Sequence, residues 1–471
     1  MFDATYYKPG GPVFLYIGGE TSIQSRFSNL QTGIIQILMN ATNGLGVILE
    51  NRYYGKSWPF NTSTTDELAY LTTEQTIADN AYFAQYATFP GVECNISAPG
   101  TPWILYGGSL AGAQTAFSVK EYGGGSDTEI LWGGIASSAV INAVLEYPEW
   151  YNQIQKYAPG DCTSSINAII DKMDYLVANK QTKAIQQLKN IFGLGALEDI
   201  RDFAMTIAFP IGGPMNYPTN TWQELNWSPL YGSSDFWEFC NNVTNLDAPA
   251  SITSVDSILA NYTHGESWLN LGNYANYVKQ TLLPLCASGD YNSVECFGTQ
   301  NETFYAISSN NEARSYLYST CTEQGAYQVA QPDGPSLISR VLQVDYTQQW
   351  CDWAFPPGVY NSIPETPDLS WYNQYGGFDF KADRLAFVDG DQDVWLDLCY
   401  HSNLAPSPRY SDLDGNQVEH LISGGGHHWD SYGIKNIPAE PQFIRESHLW
   451  EIRTVERWLK QFESKFSSCC Y

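Results

Sequence analysis

Apolar positions along this chain fall into two patterns. In the first, short unbroken apolar runs end in glycine and alternate with amphipathic stretches. Val13–Ile17, inside Gly11–Glu20, is one such run, and Gly46–Glu50 is another, leading into Asn51-Arg52-Tyr53-Tyr54-Gly55. Trp103–Tyr106 and Ile130–Ala136 repeat the pattern. Runs of this length without alternation predict strands buried on both faces. Between them, Thr72 with Gln75 has the spacing of a capping box, predicting a helix from Thr73 to about Tyr86. A second helix is predicted from Gly112 to about Tyr122. Strand–helix alternation to about Ala136 predicts an open, mostly parallel α/β sheet.

The second pattern begins after Tyr147. Residues Cys162 to Ala208 carry helical periodicity with few strand-like runs, and Tyr217 to about Pro367 is aromatic and loop-rich. Helical runs are predicted near Tyr274–Leu283 and Leu337–Gln349. The first pattern then returns. Arg384–Val388 and Val418–Ile422 read as strands, and Pro441–Phe466 as a helix with Ile444, Ile452, Val455, Leu459 and Phe462 on one face. The predicted organisation is an α/β core in two parts, 1–146 and 375–471. Between them lies a large, mostly helical insertion, 147–374, read as a cap.

Composition narrows the function. The 471 residues include 50 acidic and 23 basic side chains, a formal net charge of −27. A surface this acidic repels phosphate backbones, so nucleic acid is excluded as a partner. No window approaches the roughly 20 apolar residues of a membrane helix. Ten dispersed cysteines, six of them between Tyr147 and Pro367, predict disulfides that staple the insertion. Sequons at Asn40, Asn61, Asn95, Asn226, Asn242, Asn261 and Asn301 point the same way, with Pro229 weakening the one at Asn226. Cysteines and sequons together predict an extracellular or lysosomal/vacuolar protein. Met1–Glu20 has no basic start and only a short apolar run, so no signal peptide is read there.

The chemistry lies where the strands end. Trp103–Tyr106 runs into Gly107-Gly108-Ser109-Leu110-Ala111-Gly112, the strand–turn–helix order of a nucleophile elbow. Ala111 stands where the strict Gly-x-Ser-x-Gly form has its last glycine. The strand at Arg384–Val388 leads to Asp389-Gly390-Asp391-Gln392-Asp393, and Val418–Ile422 leads to Gly424-Gly425-Gly426-His427-His428. Serine, acid and histidine thus follow three strands in the order used by α/β hydrolases. The aspartate cluster also opens like a calcium loop. That reading fails because Val394 replaces the turn glycine and Tyr400 the bidentate glutamate. No metal or cofactor is expected. Backbone donors for an oxyanion are available at Leu110 and near Gly18 or Gly19.

These motifs together resemble the serine peptidase family of lysosomal Pro-Xaa carboxypeptidase, dipeptidyl peptidase II and fungal acid prolyl endopeptidase. The matching pieces are Gly10–Glu20, Glu50–Ser57, Gly107–Gly112, Cys321-Thr-Glu-Gln324, Asp389–Trp395 and Gly424–His428, with Phe192–Glu198 closer to the fungal branch. The resemblance implies an α/β-hydrolase core with a helical cap, a peptide or protein substrate, and cleavage after proline at acidic pH. It assigns the acid to Asp393 and the base to His427, completing a triad with Ser109, and makes Trp395 a candidate wall of a proline pocket. Asn51 and Leu110 depart from the family pattern. The strand region expected before Tyr6 is missing, which reads as a shortened N-terminus. An esterase or lipase on the same fold, or a catalytically silent binding glycoprotein, are the competing readings. Exopeptidase and endopeptidase modes stay open.

Overall fold

The computed structural model describes residues 1–124, 126, 128–213, 220–286, 294–406 and 416–467. Their chain divides into two compact units. The first comprises Met1–Val144, Ser308–Gly325 and Phe355–Tyr471, and the second Leu145–Ile307 and Ala326–Ala354.

The first unit is built on a seven-stranded sheet. Its strands are β1 (Phe2–Asp3), β2 (Val13–Ile17), β3 (Leu45–Leu49), β4 (Trp103–Gly108) and β5 (Gly133–Ser137). A separate two-stranded sheet pairs β6 (Val144–Glu146) with β7 (Gly325–Tyr327). The large sheet is completed by β8 (Leu385–Gly390) and β9 (Gln417–Ile422). The order is β1-β3-β2-β4-β5-β8-β9, with only β1 antiparallel to its neighbour. This is the open, mostly parallel α/β sheet that the apolar runs predicted, and it fits the α/β-hydrolase core that the resemblance implied. β2, β5 and β8 are buried along their whole length, because helices cover both faces.

Side-chain alternation shows how the faces divide. Leu45 and Val47 of β3 join Leu15, Leu105, Ala84 and Ala111 in one apolar cluster. Here α2 (Thr73–Tyr86) and α3 (Leu110–Tyr122) supply the helical side. Gly46, between those two β3 residues, points the other way. A Cβ there would fall 2.7 Å from Ile35 of α1 (Ile34–Thr42). The sequence pattern missed α1 because Ile34–Met39 is buried throughout and shows no periodicity. The last helix, Gln442–Ser467, packs beside α1 and fully buries Ile444, Val455 and Trp458.

The boundaries of the insertion differ from the expected 147–374. Residues 308–325 and 355–374 belong to the first unit because they bond to its loops. Ser63 N–H donates to Ser308 C=O (2.7 Å), and Ser315 Oγ donates to Tyr53 C=O (3.0 Å). Asp66 accepts from the N–H groups of Val359, Tyr360 and Asn361, all at 2.8 Å. Within Cys321-Thr-Glu-Gln324, Glu323 accepts from both the N–H and Oγ of Thr73, the first residue of α2 (2.9 and 2.7 Å).

The second unit is mostly helical, as predicted. Its longer helices are Gly160–Ala178, Thr182–Ile191, Ile200–Ala208, Asp235–Val243 and Val344–Ala354. The disulfide Cys162–Cys240 joins the first of these to the fourth, and Cys286–Cys296 closes a short loop. Cys321 and Cys351 are also oxidised. Cys94 and Cys399 are free thiols; Cys469 and Cys470 lie outside the described residues. The helix expected from Leu337 begins only at Val344. Residues before it are held irregular by Asp174, which accepts from Ser339 Oγ and Arg340 N–H. Leu337, Ile338 and Leu342 are buried there without being helical.

Candidate active site

Ser109 sits between β4 and α3 with φ 62° and ψ −127°. A non-glycine residue adopts that backbone only when its surroundings force it. The forcing comes from neighbours that leave no room. A Cβ on Gly107 would lie 2.1 Å from Ala111 C=O, and one on Gly112 would lie 2.5 Å from Ser137 C=O. Both positions therefore exclude any side chain. Position 111 is different: its methyl joins the α2/α3 apolar cluster, so Ala111 fits where the strict motif has glycine. The strained turn is secured by Ser109 N–H donating to Ser137 C=O (2.9 Å), and Ser109 itself is half-buried.

The three aspartates after β8 separate cleanly. Asp389 accepts from His401 through its main-chain N–H and ring Nδ1 (3.1 and 2.7 Å). Asp391 accepts from Gly424 N–H (2.8 Å) and fixes the glycine-rich turn. Asp393 alone meets the candidate base. Its two oxygens each lie 2.9 Å from His427 Nδ1, and Oδ1 also accepts from Trp395 N–H at 2.9 Å. Asp393 is 1 % exposed and His427 6 %. Among the described residues no group of acidic, histidine and cysteine side chains could hold a metal ion.

His428, the rival histidine, has a different environment. A Cβ built on Gly108 would lie 3.0 Å from its ring, and its other face stacks on Tyr432. Burial, then the adjacent His427, holds its pKa well below the usual imidazole range, so it is neutral. Its main-chain N–H donates to Ser138 Oγ (2.8 Å).

The remaining expected positions divide as follows. Leu110 is the first residue of α3, so its N–H has no intrahelical acceptor. Its side chain packs into the apolar cluster with Ile77, Phe117 and Tyr375, so the departure there is one of packing. Asn51 is likewise buried, with Nδ2 donating to Gln114 Oε1 on α3 (2.9 Å). Gly18 is corrected: its N–H already donates to Leu49 C=O (2.8 Å). Gly19, at φ 76°, is the better donor candidate, and a Cβ there would sit 3.5 Å from Ala111. The Trp395 ring is largely buried, and it is the residue's N–H that reaches Asp393. Asn40, Asn61, Asn95, Asn242, Asn261 and Asn301 are exposed, and Asn226 is half-buried.

Residues 1–442 match the family described as serine carboxypeptidase S28. The chain belongs to that family. It is similar to a probable extracellular serine carboxypeptidase of Arthroderma benhamiae, 36 % identical over 98 % of this chain. The match covers 64 % of that relative's length. The serine protease vicPb of Bipolaris victoriae is 28 % identical over 99 % of this chain and 86 % of its own length. The human thymus-specific serine protease is 24 % identical over 97 % and 82 % respectively.

Four polar residues of the site were not read from the sequence. Tyr106 OH donates to Asp430 Oδ2 (2.6 Å), and Ser137 Oγ donates to Asp430 Oδ1 (2.5 Å). Ser138 receives the His428 N–H. The adjacent serines at the end of β5 were the available signal: hydroxyls at the carboxyl end of a buried strand need partners.

Proposed function

We propose that this chain is a serine peptidase that hydrolyses peptide bonds after proline by acyl transfer, with Ser109 as nucleophile, His427 as base and Asp393 as orienting acid. The observation that carries this reading is the His427–Asp393 pair. The carboxylate holds Nδ1 of a buried imidazole with both oxygens, which fixes the tautomer whose Nε2 can accept a proton.

In the mechanism, His427 Nε2 takes the Ser109 hydroxyl proton as Oγ attacks the scissile carbonyl. The N–H groups of Leu110 and Gly19 receive the developing oxyanion. His427 then protonates the leaving amine, and a water deprotonated by His427 releases the acid product and restores Ser109. Asp393 stabilises the imidazolium in both halves without itself taking the proton.

Proline preference, with Trp395 contributing to the pocket, and work at acidic pH follow the family resemblance. Disulfides, exposed sequons and the name of the Arthroderma relative support an extracellular or lysosomal/vacuolar setting. The test is turnover of proline-containing peptides, blocked and unblocked at either end, alongside simple esters, across acidic to mildly alkaline pH. Cleavage after proline is expected. Ester turnover with no peptide cleavage would overturn the reading. The end-group requirement separates carboxypeptidase, dipeptidyl peptidase and endopeptidase modes.

A further inference from the structure

The strands that present serine and acid, and the loop that carries the histidine, meet at the carboxyl end of β5. Ser137 C=O accepts from Ser109 N–H (2.9 Å). Ser138 N–H donates to Val388 C=O (2.7 Å), on the strand that leads to Asp393. Ser138 Oγ accepts from the N–H of His428 (2.8 Å), the residue directly after His427. Ser137 Oγ donates to Asp430 (2.5 Å), whose other oxygen accepts from Tyr106 OH (2.6 Å) on the strand that carries the elbow. Both serines are 0 % exposed and Asp430 1 %, and Ser138 is held at φ 42°.

The backbone bonds alone would pair these strands whatever side chains β5 carried. The hydroxyls do something the ladder does not. They join β5 to the loop 427–431, which is separated from it by some 290 residues. A carboxylate buried among Tyr106, Ser137, Ser431 and Glu451 is costly unless its acceptors are filled. Here two hydroxyl donors fill them, Tyr106 on the strand that carries the elbow and Ser137 at the end of β5.

We propose that Ser137, Ser138 and Asp430 are positioning residues that hold the nucleophile strand and the histidine loop in one register. The proposal rests on the reading of Ser109, Asp393 and His427 as the reacting groups. None of the three positioning residues touches substrate in this scheme. They act by keeping His427 within reach of Ser109, where a misplacement of about 1 Å is worth about 100-fold in rate.

The experiment compares the full chain with Ser138→Ala and Tyr106→Phe. Ser138→Ala removes the contact to His428 N–H and Tyr106→Phe removes those to Asp430 and Ser431, while every catalytic group and the backbone bonds stay in place. The readouts are kcat and KM on a proline peptide, the NMR signal of the His427 Nδ1 proton, and the thermal unfolding midpoint. The expected result is a kcat lowered about tenfold with KM within about twofold. The His427 proton signal is displaced in both variants, while the midpoint falls by only a few degrees, so that each variant is folded under assay conditions. Unchanged kcat with an unmoved His427 signal in a folded variant would overturn the proposal. A parent that cleaves no proline peptide would instead remove the proposed activity. The His427 signal then decides alone: displacement supports the positioning role and constancy overturns it. If one variant fails to fold, the other carries the test.

Discussion

Single residues decide whether the elbow can form. Gly107 is obligatory because the first atom of any side chain would overlap Ala111 C=O. Gly107→Ala is therefore expected to lower stability by at least about 2 kcal/mol and to abolish turnover, measured by denaturant unfolding and peptide cleavage. Ala111→Gly is expected to cost no more than about 1 kcal/mol and to leave turnover near the parent's. The contrast separates a backbone requirement from an apparent motif defect. Asp393→Asn keeps the shape of the pair but favours the wrong imidazole tautomer. It is expected to lower kcat about 10⁴-fold with little change in KM. Asp389→Asn breaks contact with His401, not His427, and is expected to leave kcat within about tenfold of the parent's. Equal losses from the two substitutions would contradict the assignment of the acid. Sequence order alone could not rank these aspartates; the partner of each carboxylate does.

At the scale of elements, the inner strands β2, β5 and β8 were legible because both faces are buried, so each falls in an apolar run. The helix Thr73–Tyr86 was legible to the residue because Thr72 Oγ accepts from Gln75 N–H (3.2 Å). Elements whose shape is set by distant partners were not legible. The segment before Val344 is fixed by Asp174, more than 160 residues away, and 308–325 is drawn to the first unit by loops near Tyr53 and Ser63. The insertion depends on its disulfide in the same long-range way. Cys162 and Cys240 are 78 residues apart in sequence, so their bond removes much chain entropy from the unfolded state. Replacing both by alanine is expected to cost about 4 kcal/mol, read from the unfolding of the second unit.

For the whole molecule, acidity has two faces. The chain as a whole carries a formal −27, and not all of its acids face solvent: the interior behind the histidine loop holds Asp430, Glu440 and Glu451, with His448. Glu440 bonds His448 Nδ1 at 2.8 Å, and His448 Nε2 bonds Asp430 C=O at 3.0 Å. Burial, then the neighbouring Asp430, pushes Glu451 well above the usual carboxyl range, and burial raises Asp430 as well. The folded state thus binds protons that the unfolded state has released. That contribution is fully present below the unfolded pKa near 4.5 and is lost as pH rises toward the folded values. Between about pH 5 and about pH 7.5 the parent is expected to lose more stability, or gain less, than Glu451→Gln, read from the unfolding midpoints of the two at each pH. No sequence pattern marks this cluster, because its members come from the histidine loop, the turn before the last helix and that helix itself. The candidate reacting groups were legible for the opposite reason: each lies in the turn that follows a strand. The central claim is that Ser109 is the nucleophile, and covalent labelling tests it most directly. The parent chain, Ser109→Ala and His427→Ala are treated with a fluorophosphonate, and the adduct is mapped by peptide mass spectrometry. The account predicts one adduct on Ser109, absent in Ser109→Ala and much slower in His427→Ala. An adduct on another residue, or labelling unchanged in Ser109→Ala, would contradict it.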